Sequence, residues 1–110
     1  MRYSEHRHIS FLDTTLRDGE QAPGNAMTPE QKLKLALMLE EAGVDFIETG
    51  FPASSPADFR ATQMISAQLK KASFATFSRA LEKDVGLAID AGGTSDRHLV
   101  MLVATGSVCI

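Results

Sequence analysis

Nine consecutive residues hold much of the chemistry in this sequence: Asp13-Thr14-Thr15-Leu16-Arg17-Asp18-Gly19-Glu20-Gln21. Carboxylates, a guanidinium and an amide sit side by side there, and Gly19 leaves the backbone free to turn. Such groups move protons and stabilise developing charge. The stretch follows an apolar strand signal, Ile9-Ser10-Phe11-Leu12. A strand that ends in a polar cluster and leads to a helix is where α/β enzymes keep their catalytic groups. The same residues also read as a charged turn after an edge strand, because loops are usually polar.

A second chemical spacing, His6-Arg7-His8, lies in the polar lead-in of residues 1–8. It reads either as a pair of metal ligands or as a solvated tail, and geometry favours the tail. His8 enters the first strand and Asp18 lies beyond its far end, and a strand of about five residues spans roughly 17 Å. Metal bonds are about 2 Å long, so these histidines and Asp18 do not share an ion within one chain.

The elements that position the first cluster follow from punctuation and period. Ala22-Pro23-Gly24-Asn25-Ala26-Met27 reads as a loop. Thr28 caps a helix, with Pro29 in the first turn, Gln31 completing a capping box and Gly43 as a left-handed stop. Leu33, Leu35, Ala36, Leu37, Met38 and Leu39 give that helix a broad apolar face, suited to a wedge between a sheet and other helices. Strand two is expected over 44–49. Ser55-Pro56 then opens a second helix with Phe59, Thr62, Ile65, Ser66 and Leu69 at helical spacing. Strand three is expected over 73–78, helix three over 81–91 up to Gly92-Gly93, and strand four over 99–104. The last is continuously apolar, like a parallel strand buried on both faces.

The order β-α-β-α-β-α-β with short connections argues for a parallel sheet with right-handed crossovers. Either a small doubly wound domain or part of a (β/α)₈ barrel satisfies it, and a full barrel takes about 250 residues.

Bulk properties narrow the class. The chain of 110 residues has 44% hydrophobic and 23% charged residues and a net charge of −3, as ordinary soluble proteins do. That charge, with no Lys/Arg-rich run, argues against a nucleic-acid partner. The single cysteine excludes an internal disulfide framework and fits a reducing compartment. No signal core and no membrane-length apolar run is present, so the expected location is cytoplasmic, with no membrane partner.

The first cluster, together with Glu48-Thr49-Gly50-Phe51-Pro52-Ala53-Ser54-Ser55-Pro56-Ala57-Asp58-Phe59, resembles the two signatures of the metal-dependent Claisen-condensing enzymes typified by 2-isopropylmalate synthase. The resemblance runs from about Ile9 to the end of the chain. Homocitrate and citramalate synthases and acyl-CoA lyases share the first motif more loosely, and the run from Phe51 to Phe59 favours the isopropylmalate branch over a lyase. The resemblance selects the barrel: residues 9–110 would be its N-terminal half, cut short. It implies an acyltransferase that joins acetyl-CoA to a 2-oxo acid (2-oxoisovalerate, in leucine biosynthesis) and releases CoA. It also implies a divalent ion (Mg²⁺, Mn²⁺ or Zn²⁺) and a homo-oligomer. A self-associating, non-catalytic half-barrel is the competing expectation.

On that resemblance, Asp18 matches the metal-binding aspartate and Arg17 the catalytic arginine that faces the keto oxygen. A lone Asp is otherwise a turn or cap residue, and Arg17 otherwise pairs with Glu20 or Asp18. Gln21 would orient water or substrate, or else satisfy loop backbone. Glu48 ends strand two, where barrels draw their active-site residues, and is expected to line the pocket or transfer a proton. Arg79 ends strand three and would meet a substrate carboxylate, or else pair with Glu82. Asp13 is expected to hold the Arg17 loop. Two departures stand out. The family completes its metal site with a later His-x-His pair that this sequence does not contain. Cys109 also stands where related sequences carry a histidine.

Overall fold

A computed structural model describes residues 9–19 and 27–103; side-chain placement at Asp18 and Gly19 falls outside that description. The lead-in with His6 and His8, Glu20, Gln21, the loop 22–26 and the segment 104–110 with Cys109 also lie outside it.

Four strands and three helices alternate. They are β1 (Leu12–Asp13), α1 (Pro29–Glu41), β2 (Phe46–Gly50), α2 (Pro56–Gln68), β3 (Ser73–Arg79), α3 (Glu82–Gly92) and β4 (His98–Val103). A π-helical turn, Thr15–Gly19, follows β1, and a 3₁₀ turn, Pro52–Ser54, precedes α2. The expected caps are present. In α1 the Gln31 N–H donates to Thr28 Oγ1 at 3.1 Å, and the Thr28 N–H donates to Gln31 Oε1 at 2.9 Å. In α2 the Asp58 N–H donates to Ser55 Oγ at 3.1 Å. Gly43, at φ 97°, takes the left-handed conformation that ends α1.

The strands pair in parallel in the order β1-β2-β3-β4. Residue pairs Leu12↔Phe46, Ile47↔Phe74 and Phe74↔His98 set the register. The helices pack in sequence, α1 on α2 and α2 on α3, so they cover one face of the sheet. A doubly wound sheet would reverse its order at a switch point and carry helices on both faces. Sequential order with one helical layer makes this a partial (β/α)₈ barrel. The core lies between sheet and helices and is formed by Leu16, Ala36, Ile47, Ile65, Leu69, Ala72 and Phe74.

Two expectations are corrected. β4 is not buried on both faces: Leu99 and Leu102 are more than half exposed, because among the described residues β4 is an edge strand. The broad apolar face of α1 is only partly used. Ala36 is buried and Leu33, Leu35 and Leu39 pack on the core, while Leu37 and Met38 face solvent. Five consecutive apolar residues at about 100° per residue cannot share one face. Lys32, one turn before Ala36, is buried instead.

Candidate active site

Alternation along the strands decides which side chains meet. Ile47 and Phe74 point into the helix-covered core, so Glu48 and its register partner Ala75 point to the opposite face. That face would be the barrel interior. Phe77 and Arg79 follow Ala75 on the same side by the same period. The π-helical turn after β1 brings Arg17 to this end of the sheet. Asp13 Oδ1 accepts the Thr15 N–H at 2.8 Å, and Thr14 O accepts the Arg17 N–H at 3.1 Å. Asp13 thus holds the Arg17 turn, as expected.

The Arg17 guanidinium donates through Nε to Oε2 of Glu48 in a close ion pair. Glu48 is fully buried, and its other oxygen, Oε1, has no partner among the described residues. Beneath Arg17 lies an aromatic wall. The guanidinium carbon is 4.8 Å from the Phe77 ring centre. Phe77 meets Phe51 edge to face at 5.1 Å and 62°. Arg79 lies 5.9 Å from the Phe51 ring centre. It forms a forked pair with Asp84 in the first turn of α3, at 2.6 and 3.2 Å. That hydrogen-bonded pairing holds the Asp84 carboxyl below its ordinary range.

Arg17 and Glu48, expected separately, are therefore brought together, and Arg79 reaches the same wall from its far side. The partner of Arg79 is Asp84 and not Glu82, which is exposed. Gln21 and the Asp18 carboxylate lie outside the described residues. Phe51 and Phe77, which form this wall, are not distinguished by the sequence, because isolated aromatics carry no chemical spacing.

A family model described as HMGL-like matches residues 8–109. The chain belongs to the HMGL-like family. Its relatives include a 2-isopropylmalate synthase of Sediminispirochaeta smaragdinae, 53% identical over 85 residues, which is 77% of this chain and 17% of that protein. One of Xanthomonas oryzae pv. oryzae is 55% identical over 78 residues, 71% of this chain and 15% of that protein. One of Campylobacter jejuni subsp. doylei is 49% identical over 87 residues, 79% and 17%. This HMGL-like chain thus spans roughly a sixth of the length of the curated relatives it matches.

The described part of the HMGL-like site does not by itself fit a metal ion. No group of three or more His, Cys, Asp or Glu side chains converges among the described residues. A hard divalent ion takes about six ligands, and Zn²⁺ about four. The unpartnered, buried Glu48 Oε1 is an acceptor waiting for a donor, and one such oxygen is not a metal site.

Proposed function

We propose that this segment carries part of the active site of an acyltransferase of the 2-isopropylmalate synthase type. The reaction condenses acetyl-CoA with a 2-oxo acid, 2-oxoisovalerate in leucine biosynthesis, and water then cleaves the thioester to release CoA. The observation that carries the reading is the Arg17–Glu48 ion pair, with Glu48 fully buried at the end of β2, inside a sequence strongly similar to named synthases.

In this reading the acetyl group loses a methyl proton and attacks the keto carbon, and negative charge grows on the former keto oxygen. Arg17 faces that charge. Glu48 fixes the guanidinium through Nε and Phe77 supports its face, so little reorganisation accompanies the reaction. One preorganised donor of this kind is worth about 3 kcal/mol in the transition state. Glu48 Oε1 is buried and able to accept a proton or a hydrogen bond. Arg79 is the proposed contact for the oxo-acid carboxylate, held in place by Asp84. Gln21 is proposed to orient substrate and Asp18 to ligate a divalent ion (Mg²⁺, Mn²⁺ or Zn²⁺), whose other ligands come from outside the described residues. Residues 9–110 then form the N-terminal half of the catalytic barrel, in a cytoplasmic homo-oligomer. No described helix is long and apolar enough to cross a membrane.

Thiol release decides the reading. The intact protein carrying this segment, given acetyl-CoA, a divalent ion and a panel of 2-oxo acids, should release CoA thiol fastest with a branched short-chain oxo acid. No release above background with any oxo acid refutes the synthase reading.

A further inference from the structure

We infer that Lys32 is a positioning residue for the loop that leaves β2. The residue is 1% exposed, and its side chain is among the largest fully buried ones of the described structure. It lies in the first turns of α1, and its Nζ is 3.3 Å from Oδ1 of Asp58 in the first turn of α2. Asp58 also accepts the hydroxyl of Ser54, at the end of the 3₁₀ turn. The ammonium therefore ties α1, α2 and the post-β2 turn at one point.

The same ammonium faces the open side of Gly50. A Cβ placed on Gly50 would come within 3.5 Å of Nζ, and Gly50 sits at φ 142°, where only glycine is comfortable. The β2–β3 register shifts between Glu48 and Gly50. The Lys32 ammonium thus lies near the point where β2 breaks its ladder, two residues after Glu48 and one before Phe51. Phe51 packs on Phe77, and Phe77 underlies Arg17.

Charge at this place needs a reason. Burying an ammonium is costly, and a buried ion pair is often matched or bettered in stability by apolar residues of the same shape. Buried ionic groups are best attested as devices that set register. Here the register in question is that of Gly50–Ser54, and through it the placing of Glu48 and of the aromatic wall. A charged centre paired with a carboxylate beside this turn sets direction as well as distance, which a methionine of equal length cannot do.

The test uses Lys32→Met, which keeps the stem, and the double variant Lys32→Met/Asp58→Asn, which removes both charges of this pair and keeps an acceptor for Ser54. Hydrogen exchange is followed by mass spectrometry in the intact protein over 50–54 and over β3, with Tm and thiol-release kinetics alongside. The activity arm rests on the synthase reading; the exchange arm does not. The double variant should regain the Tm that the single variant loses. In both, exchange over 50–54 should run about ten-fold faster while β3 is unchanged. In both, kcat should fall about a hundred-fold with little change in KM. If Lys32→Met does not fold, the double variant carries the measurement. Recovery of Tm, loop protection and kcat together would overturn the inference, since Lys32 would then only complete a pair. An even rise in exchange over loop and strand would overturn it as well. A wild-type protein that releases no thiol defeats the synthase reading, and the exchange result still decides Lys32.

Discussion

At the scale of single residues, the site depends on which groups are held and which are left ready to act. Glu48 holds Arg17 at Nε, and the Phe77 ring lies under its guanidinium. A lysine in its place is a point charge that cannot hold a fork and lie flat on an aromatic at once. Arg17→Lys should therefore lower kcat for thiol release more than it raises KM, by about a hundred-fold. Equal kcat with only KM changed would assign Arg17 to substrate binding alone. Asp18→Asn in the intact protein should weaken divalent-ion binding in a calorimetric titration and nearly abolish turnover; unchanged affinity would remove Asp18 from the ligand set. The candidates Arg17, Asp18 and Gln21 can be proposed from the sequence alone because they stand in one contiguous string. Their pairings cannot be. Glu48 is 31 positions from Arg17, and only the β1–β2 register brings them together. The partner of Arg79 is likewise set by the first turn of α3, which buries Asp84 and turns Glu82 to solvent.

At the scale of elements, the helices and strands were legible within a few residues, because their caps are local. Thr28, Pro29 and Gln31 start α1, and Ser55 and Pro56 start α2, by hydrogen bonds that the sequence alone defines. What fastens one element to another was hidden. Glu40 Oε2 on α1 accepts three backbone N–H groups in a row, from Lys70, Lys71 and Ala72, at 2.5–2.8 Å. Burial alone would raise its carboxyl, but these three donors hold it below 4.5. His98, at the start of β4, stacks on Phe74 at 4.6 Å and meets Thr76 Oγ1 at 2.8 Å. It leaves no room for a side chain on Gly92, whose Cβ would lie 2.1 Å from Nδ1. Burial holds His98 below its ordinary 6.5. The unfolded chain then takes up the proton first. The His98 contribution is complete above pH 6.5 and is lost as pH falls through the lower folded value. Glu40 has the same sign in a lower window, its contribution present above 4.5 and lost below it. Acidification should therefore weaken the fold in two stages, the first through His98. Melts at a series of pH values should show Tm falling below about pH 6.5, and His98→Gln should flatten that first stage while leaving the second. A first stage unchanged in His98→Gln would assign it to another group.

At the scale of the whole molecule, the open rims of the sheet matter most. Among the described residues β1 and β4 are its edges. Apolar side chains stand out at both: Phe11 is 63% and Leu12 48% exposed beside β1, and Leu99 is 51% and Leu102 59% exposed on β4. From Leu99 to Val103, β4 carries no charge and no proline to discourage pairing with another strand. Each hundred Å² of such surface withdrawn from water is worth about 2.5 kcal/mol, so a few of these side chains together drive association strongly. Backbone N–H and C=O groups along β4 add direction to it, since an edge strand accepts a neighbour in register. The sequence disclosed the apolar run but not its exposure, because a strand buried on both faces and an edge strand awaiting a neighbour read alike. Expressed alone as 110 residues, the chain should therefore release no CoA thiol and should not remain a monomer. Light scattering after size exclusion at low micromolar concentration should give a mass of two copies or more, and replacing Leu99 and Leu102 together by lysine should shift it toward one. A clean monomer with a cooperative melt from the unaltered chain would show that four strands and three helices close on themselves, and the half-barrel reading would fall.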